Sequence, residues 1–310
     1  MKLIKKTEIL KPDSVYNLHI QNNNNYFANG ICVSNCHNAK SSSISTVLKK
    51  CVDAEYKIGL TGTLPTEKVD RYNIFGYLGP VIYNLKSREL IDKGYLSDIR
   101  IVNMSIRYSK KDIEVNKHQT YAEELDLIIT KPSRQKVLKY IIDNKHVADN
   151  HNMLILAQRI NHIDNIVEYL KKEYPNKEIL KIDGKTDPDE RERVRKYVES
   201  NDGVILVATY GTLSTGVNIP KIHHVVFASF YKSKIKVLQS IGRGLRTHKT
   251  KNMVIIWDLI DDMRWKKRKN KKTTEEYGLN YAYQHFLERL KFYKEQGFKY
   301  INKKVILEEL

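Results

Sequence analysis

Three polar stretches have residue types and spacings suited to phosphate chemistry. "TGT" at 61–63 follows the apolar run "YKIGL". "TYGTLSTGVNIP" at 209–220 follows "GVILVA", and "QSIGRGLR" at 239–246 comes after "HHVVFAS". In the last, Gln239, Arg243 and Arg246 are spaced four and three apart, so on a helix they share one face. Gly242 and Gly244 between them allow close approach of a phosphate or of another backbone. Two guanidinium groups on such a face suit the stabilisation of charge on a transferring phosphoryl group. A solvated basic helix face has the same spacing; the three stretches in this order favour the chemistry. A different chemistry is available at "VSNCH". The side-chain amide of Asn35 can attack its own carbonyl, and Cys36 next to it is a nucleophile. Residues of these types also serve in ordinary turns.

The elements that must position these groups are short apolar runs rich in Val and Ile. They are "MLILA" (153–157), "EILKID" (178–183), "GVILVAT" (203–209), "HHVVFAS" (223–229) and "NMVIIWDL" (252–259). Runs of this kind predict fully buried parallel strands. Helical stretches lie between them. "DPDERERVRKYVES" has Asp187 to cap it, Pro188 in the first turn and acidic residues facing the positive end of the dipole. Strand–helix alternation predicts an open α/β sheet with helices on both faces, and ligands then bind beyond the carboxyl ends of the strands. "IDGKTDPDE" at 182–190 imitates a phosphate-binding loop, but Ile179 stands where the first glycine of that loop belongs. Gly184-Lys185-Thr186 is therefore read as a plain loop. Residues before Cys36 differ from the rest: two alternating segments, "SVYNLHI" and "YFANGICV", flank a polar "QNNNN".

Composition narrows the class. The chain has 310 residues, 54 of them Lys or Arg against 36 Asp or Glu, for a formal charge of +18. An excess of this size favours a polyanionic partner through counterion release. Three cysteines, Cys32, Cys36 and Cys51, cannot form a closed disulfide framework, and no C-x-x-C pair suggests zinc. A reducing, cytoplasmic setting is expected, with neither signal peptide nor membrane span.

In order and spacing, "TGT", "STGVNIP" and "QxxGRxxR" resemble motifs III, V and VI of superfamily 2 helicases. With "VIIWDLIDD" they look most like the UvsW-type recombination helicases of T4-like bacteriophages. The resemblance runs from Cys36 to near the carboxyl terminus. It implies two RecA-like parallel sheets, with ATP and Mg2+ in the cleft between them and DNA, branched or recombining, as partner. It makes Arg243 and Arg246 contacts of the γ-phosphate, with Arg246 as the finger, and Gln239 a positioner of phosphate or water. Gly216 and Asn218 lie near the nucleotide, Thr209 and Gly211 touch the DNA backbone, and Thr61 and Thr63 couple the ATP state to domain closure. An RNA helicase of the same superfamily shares these motifs. The expected division is a partial first RecA-like domain at 36–100, a connector at 101–132, a complete second domain at 133–262 and a basic helical tail at 263–310.

In that family the magnesium motif reads Asp-Glu-x-His. Here Cys36-His37 is its second half; the Asp and Glu are absent, as is the glycine-rich phosphate loop. What stands before Cys36, ending Ser34-Asn35, resembles the carboxyl-terminal part of an intein, of the size of a split-intein fragment. That resemblance implies release of residues 1–35 by Asn35 cyclisation, with Cys36 as the joining nucleophile and Ser34 beside them. Two positions depart from the intein pattern, Asn24 and Ser34 each standing where histidine is usual, and both slow cyclisation. Lys2, Lys5 and Lys6 suit docking to an acidic partner fragment. The chain so read is a helicase portion that does not hydrolyse ATP until joined to an amino-terminal half. The alternative is a non-catalytic nucleic-acid-binding fragment of a broken helicase gene.

Overall fold

The computed structural model describes residues 25–28, 31–35, 56–60, 67–84, 87–214, 221–230, 253–267 and 277–310, with isolated positions between them. The chain divides into two units, residues 1–83 and 84–310.

The first unit contains β1 (Asn25–Ala28), β2 (Ile31–Asn35), β3 (Tyr56–Leu60) and α1 (Lys68–Leu78). β1 and β2 pair antiparallel with Ala28 opposite Ile31, leaving Asn29-Gly30 between them. "YFANGICV" is thus two strands rather than one alternating segment, and Asn-Gly is the dipeptide that two-residue hairpins favour. β2 then runs parallel to β3, with Ile31 opposite Tyr56 and Asn35 opposite Leu60. "VYNLHI", expected as a strand, lies outside the described residues. The unit has little core among its described residues: α1 buries Ile74 alone.

The second unit begins with α2 (Ser87–Asp92), β4 (Asp98–Arg107), α3 (Lys110–Asn116), α4 (Tyr121–Thr130) and α5 (Pro132–Ile142). It continues with β5 (Met153–Ala157), α6 (Ile160–Glu173), β6 (Ile179–Ile182), α7 (Pro188–Ser200), β7 (Ile205–Thr209) and α8 (Tyr210–Ser214). After these come β8 (His224–Phe227), β9 (Met253–Asp262), β10 (Trp265–Lys266), β11 (Tyr277–Gly278), α9 (Tyr281–Glu295) and β12 (Lys299–Ile306). Seven strands form one sheet in the order β12-β4-β9-β8-β5-β7-β6, and every neighbouring pair is parallel. The five apolar runs singled out in the sequence are β5 to β9. Because side chains alternate along a strand, Met153, Ile155 and Ala157 meet α5 and α6 on one face. Leu154 and Leu156 meet Val194 and Val198 of α7 and Phe292 of α9 on the other. The start of α7 is as expected: the Asp187 carboxylate accepts from the Asp189 amide at 2.8 Å, and Pro188 opens the helix.

Sheet membership differs from the expected division in two places. The stretch 98–107, divided between the first domain and the connector, is β4, held between β12 and β9 in the large sheet. Its "DIRIVNMSIR" buries Ile101, Val102, Asn103 and Met104 in succession, as a strand covered on both faces does. The tail is not only helical. α9 packs on the sheet, and the chain returns as β12 at the sheet edge. "KYINKKVI" hid this strand because its lysines read as solvated helix or loop, although charged residues are what an exposed edge carries. The tail helix is fixed by a buried ion pair: Arg289 bonds both oxygens of Asp258, at 2.9 and 2.8 Å, and the Tyr293 hydroxyl donates to the same carboxylate at 2.9 Å. Its first amides are capped from far away, since Glu124 of α4 accepts from Tyr281 N at 3.0 Å and Ala282 N at 2.7 Å.

Two buried histidines make the fold pH-sensitive. At the amino end of β8, His224 Nδ1 accepts from the Trp257 indole N–H at 3.3 Å. Its Nε2 therefore carries the proton and donates to His151 Nδ1 at 2.9 Å. Burial, then the neighbouring histidines, lowers the His224 pKa to about 3. Burial, then Arg134, does the same to His162. The folded pKa of each lies below its unfolded value of ~6.5. Their contribution is therefore complete above pH ~6.5 and is lost as pH falls toward ~3, at up to ~1.4 kcal/mol per pH unit for each group. Urea unfolding should show stability declining already between pH ~6.5 and ~5, above the carboxylate range, and His224→Phe should flatten that decline.

Candidate nucleotide and nucleic-acid site

The carboxyl ends of β5, β7, β8 and β9 lie at one edge of the sheet, where the second polar stretch begins after β7 and the segment leading to the third begins after β8. Thr209 ends β7 and is buried; its Oγ1 lies 2.6 Å from Thr212 Oγ1 and accepts from the Thr212 amide at 3.3 Å. This closes the first turn of α8, which contains Gly211. Gly211 is exposed, and a Cβ built there would meet nothing within 4 Å. Packing within the protein therefore does not require a glycine at this position, and the surface over it can admit another backbone. Tyr210 turns inward, its hydroxyl donating to the Ser229 carbonyl at 3.0 Å.

Beyond β8, Ser229 joins three elements. Its Oγ accepts from the Gln158 amide at 3.1 Å and lies 2.8 Å from His162 Nδ1. Burial holds His162 neutral, and the direction of this bond is set by which ring nitrogen carries the proton. One residue earlier, the Ala228 carbonyl accepts from Arg134 Nη2 at 2.8 Å. Arg134 also grips Asp261 near the end of β9 with Nε at 3.0 Å and Nη2 at 3.1 Å, and the Tyr108 hydroxyl adds a bond of 2.8 Å to the same carboxylate. Arg134 and Asp261 are almost wholly buried. Burial opposes the charge on Arg134 and Asp261 restores it, so the guanidinium's pKa stays raised. Burial together with the Asp261 charge pushes the Tyr108 hydroxyl pKa well up, and it stays protonated. One arginine thus ties the carboxyl end of β8, after which the segment carrying Gln239, Arg243 and Arg246 begins, to the carboxyl end of β9.

Sequence reasoning missed Arg134, Ser229, His162 and Asp261. Only Asp261 had a signal, as a charge inside the apolar "VIIWDLIDD". Of the expected site residues, Thr209 and Gly211 come together at α8. Ser34 and Asn35 are the last two positions of β2, opposite Gly59 and Leu60. Cys36, His37, Thr61, Thr63, Gly216, Asn218, Gln239, Arg243 and Arg246 lie outside the described residues. Among the described residues no group of three or more His, Cys, Asp or Glu is placed to hold a metal ion. No helix there is long and apolar enough to cross a membrane.

The loop Gly184-Lys185-Thr186 does not fit a phosphate. Asp183 Oδ1 accepts from the amides of Lys185 at 2.8 Å and Thr186 at 3.1 Å. The N–H groups that would cradle an anion are turned onto a carboxylate. Burial would raise the pKa of that carboxyl, but these bonds and Lys181 outweigh it and keep it charged.

Comparison with known proteins agrees with this arrangement. Residues 133–248 match the helicase conserved C-terminal domain. The chain is 32% identical over 274 residues to the ATP-dependent DNA helicase uvsW of Enterobacteria phage T4, covering 88% of this chain and 54% of that protein. It is 23% identical over 236 residues to the putative ATP-dependent helicase IRC3 of Saccharomyces cerevisiae, covering 75% of this chain and 34% of that one. The crystal structure of T4 UvsW superposes with a TM-score of 0.58 at 31% identity, over 89% of this chain and 53% of its own. A fragment of a putative HsdR subunit of a type I restriction enzyme from Vibrio vulnificus superposes at 0.61 and 18% identity, over 89% and 48%, and shows the fold alone. The chain spans about half the length, or less, of these relatives. The second unit is thus a RecA-like α/β fold carrying a helicase C-terminal domain similar to that of T4 UvsW.

Proposed function

We propose that this chain is the carboxyl-terminal portion of an ATP-dependent DNA helicase or translocase acting on branched or recombining DNA. In this reading it is made as a precursor in the host cytoplasm, with residues 1–35 as an intein's carboxyl-terminal fragment. The observation that carries it is the junction: helicase resemblance begins at Cys36, in the middle of the Asp-Glu-x-His motif, directly after Ser34-Asn35. A DNA substrate is favoured by the relative matched at 32% identity, a DNA helicase, and by the charge of +18.

The junction residues supply the chemistry. The Cys36 thiolate attacks the acyl carbon at the end of the upstream half, forming a thioester, and the bond from that carbon to the first residue of the complementary intein fragment breaks, that fragment leaving as the displaced group. The Asn35 amide nitrogen then attacks its own carbonyl carbon, a succinimide closes, the bond to Cys36 breaks, and the released amine takes the proton. That amine attacks the thioester, forming the new peptide bond and returning the thiol. Splicing restores the missing half of the magnesium motif together with the upstream phosphate loop. ATP with Mg2+ would supply the phosphoryl group once bound in the completed cleft; from this chain, Arg243 and Arg246 would contact the γ-phosphate, Gln239 would position phosphate or water, Gly216 and Asn218 would contact the nucleotide, and Thr61 and Thr63 would couple its state to domain closure. Thr209 and Gly211 line the DNA backbone, which the open surface over Gly211 accommodates.

A second reading has one observation in its favour. β2 pairs parallel with β3, where a strand native to the helicase sheet would stand. Residues 31–35 would then be a helicase strand with Ser34-Asn35 in place of two carboxylates, and the chain a non-catalytic nucleic-acid-binding fragment.

Mixing the chain with an upstream half that carries the complementary intein fragment separates the two readings. Intact-mass spectrometry should show loss of residues 1–35 and a product joined at Cys36, and Asn35→Ala should block release because alanine has no amide to cyclise. Equal release from the Asn35→Ala chain, or none from the natural one, would remove the intein assignment. In the joined enzyme, Arg246→Ala should lower ATP turnover by about 10³-fold or more at saturating DNA. Lys185→Ala should leave turnover unchanged, because its loop is folded around Asp183. The reverse pattern would place the nucleotide elsewhere.

A further inference from the structure

The two strands nearest the junction carry a consequence for assembly. Among the described residues β3 has a single partner strand, β2, and both β2 and β1 lie within residues 1–35. Cutting after Asn35 therefore takes away every described strand paired with β3. An open edge of this kind presents unpaired N–H and C=O groups and is a template for another chain. The rest of the first unit is equally incomplete. Val69 and Tyr72 of α1 are 69% and 71% exposed, and Ile82 and Tyr83 just after it are 92% and 71% exposed.

We propose that the β3 edge is the docking site for the strand of the upstream helicase half that becomes joined to Cys36, and that residues 31–35 hold this site in the same register until they are removed. The inference rests on the intein reading above. Its argument is one of register. β2 ends at Asn35, opposite Leu60, and Asn35–Cys36 is the bond that is broken. After joining, the last residue of the upstream half occupies the chain position of Asn35, one Cα–Cα step of about 3.8 Å from Cys36. It therefore arrives opposite Leu60, and the residues before it follow β3 in the alignment β2 had. Register is the property that must survive the exchange, because a slip of one residue sends every side chain of a strand to the wrong face. A parallel placeholder that ends flush with the cut keeps the edge covered and hands it over without a slip. The occupant is a short extended strand, parallel to β3, whose carboxyl end is the residue bonded to Cys36. The exposed apolar side chains beside it await the rest of the same domain.

Hydrogen–deuterium exchange of the β3 amides, Tyr56 to Leu60, tests this in four samples. They are the full chain with Asn35→Ala, which cannot be cut; the full chain with Val33→Pro as well; residues 36–310 made directly; and Cys36 onward fused genetically to the part of phage T4 UvsW that precedes its match to this chain. The fusion makes that arm independent of splicing, so failure of the intein reading, seen by mass, is distinguishable from failure of this one. The amides of β5 and β7, in the second unit with its own core, report that each sample is folded. The expected result is at least about tenfold slower exchange at β3 in the first sample than in the second and third, since each lost ladder bond opens the strand. The fusion should recover the slow exchange. Equal exchange with and without residues 1–35 would overturn the placeholder, and failure of the fusion to recover protection would overturn the docking site.

Discussion

Three carboxylates on one buried strand govern the second unit. Asp258, Asp261 and Asp262 of β9 are all buried, and a buried carboxylate without a partner is costly enough to unfold a domain. Each is answered by a different part of the chain. Asp258 is paired by Arg289 and Tyr293 of α9, Asp261 by Arg134 of α5 and by Tyr108 after β4, and Asp262 by Arg107 of β4 and by Arg264. Removing one partner of such a pair costs on the order of 3–5 kcal/mol, because the other charge stays buried. The cost of leaving any of the three alone makes the tail helix, the first helix of the matched domain and a central strand obligatory neighbours of β9.

This constraint shapes the candidate site. Parallel strands put their ligand-facing loops at one edge, and the loop between β8 and β9 carries Gln239, Arg243 and Arg246. Arg134 bonds both Ala228, just after β8, and Asp261, near the carboxyl end of β9, and so fixes the point at which that segment leaves the sheet. The first unit lacks any comparable anchor among its described residues: a three-stranded sheet and a helix that buries one side chain. A charge-clamped second unit thus contrasts with a first unit that buries little among its described residues.

The five apolar runs were legible as strands because full burial on both faces leaves only Val, Ile, Leu and small residues. The start of α7 was legible because capping is local: Asp187 and Pro188 act within one turn. What escaped were features set by partners distant in the chain. β4 and β12 lie 199 residues apart at the Asn103–Asn302 bond, and nothing near either strand announces the other. Glu124, in the first turn of α4, caps α9 across the fold. At the candidate site, spacing pointed to the arginine face, and the helicase resemblance to Thr209 and Gly211. The buried Arg134, Ser229 and His162 that brace this edge had no pattern to find, since their roles arise only when β8, β9, α5 and α6 meet. The imitation phosphate loop was rejected on one missing glycine, and the turn of its amides onto Asp183 supplies the physical reason.

The claim at the centre is that the chain holds one complete RecA-like unit and only part of a second, so that the nucleotide cleft is unfinished until the upstream half is joined at Cys36. Steady-state ATP hydrolysis at saturating DNA measures this most directly. Purified residues 1–310 should show no turnover above background, and the joined protein should show DNA-stimulated turnover. Hydrolysis by the unjoined chain, abolished by a substitution within it, would contradict the account.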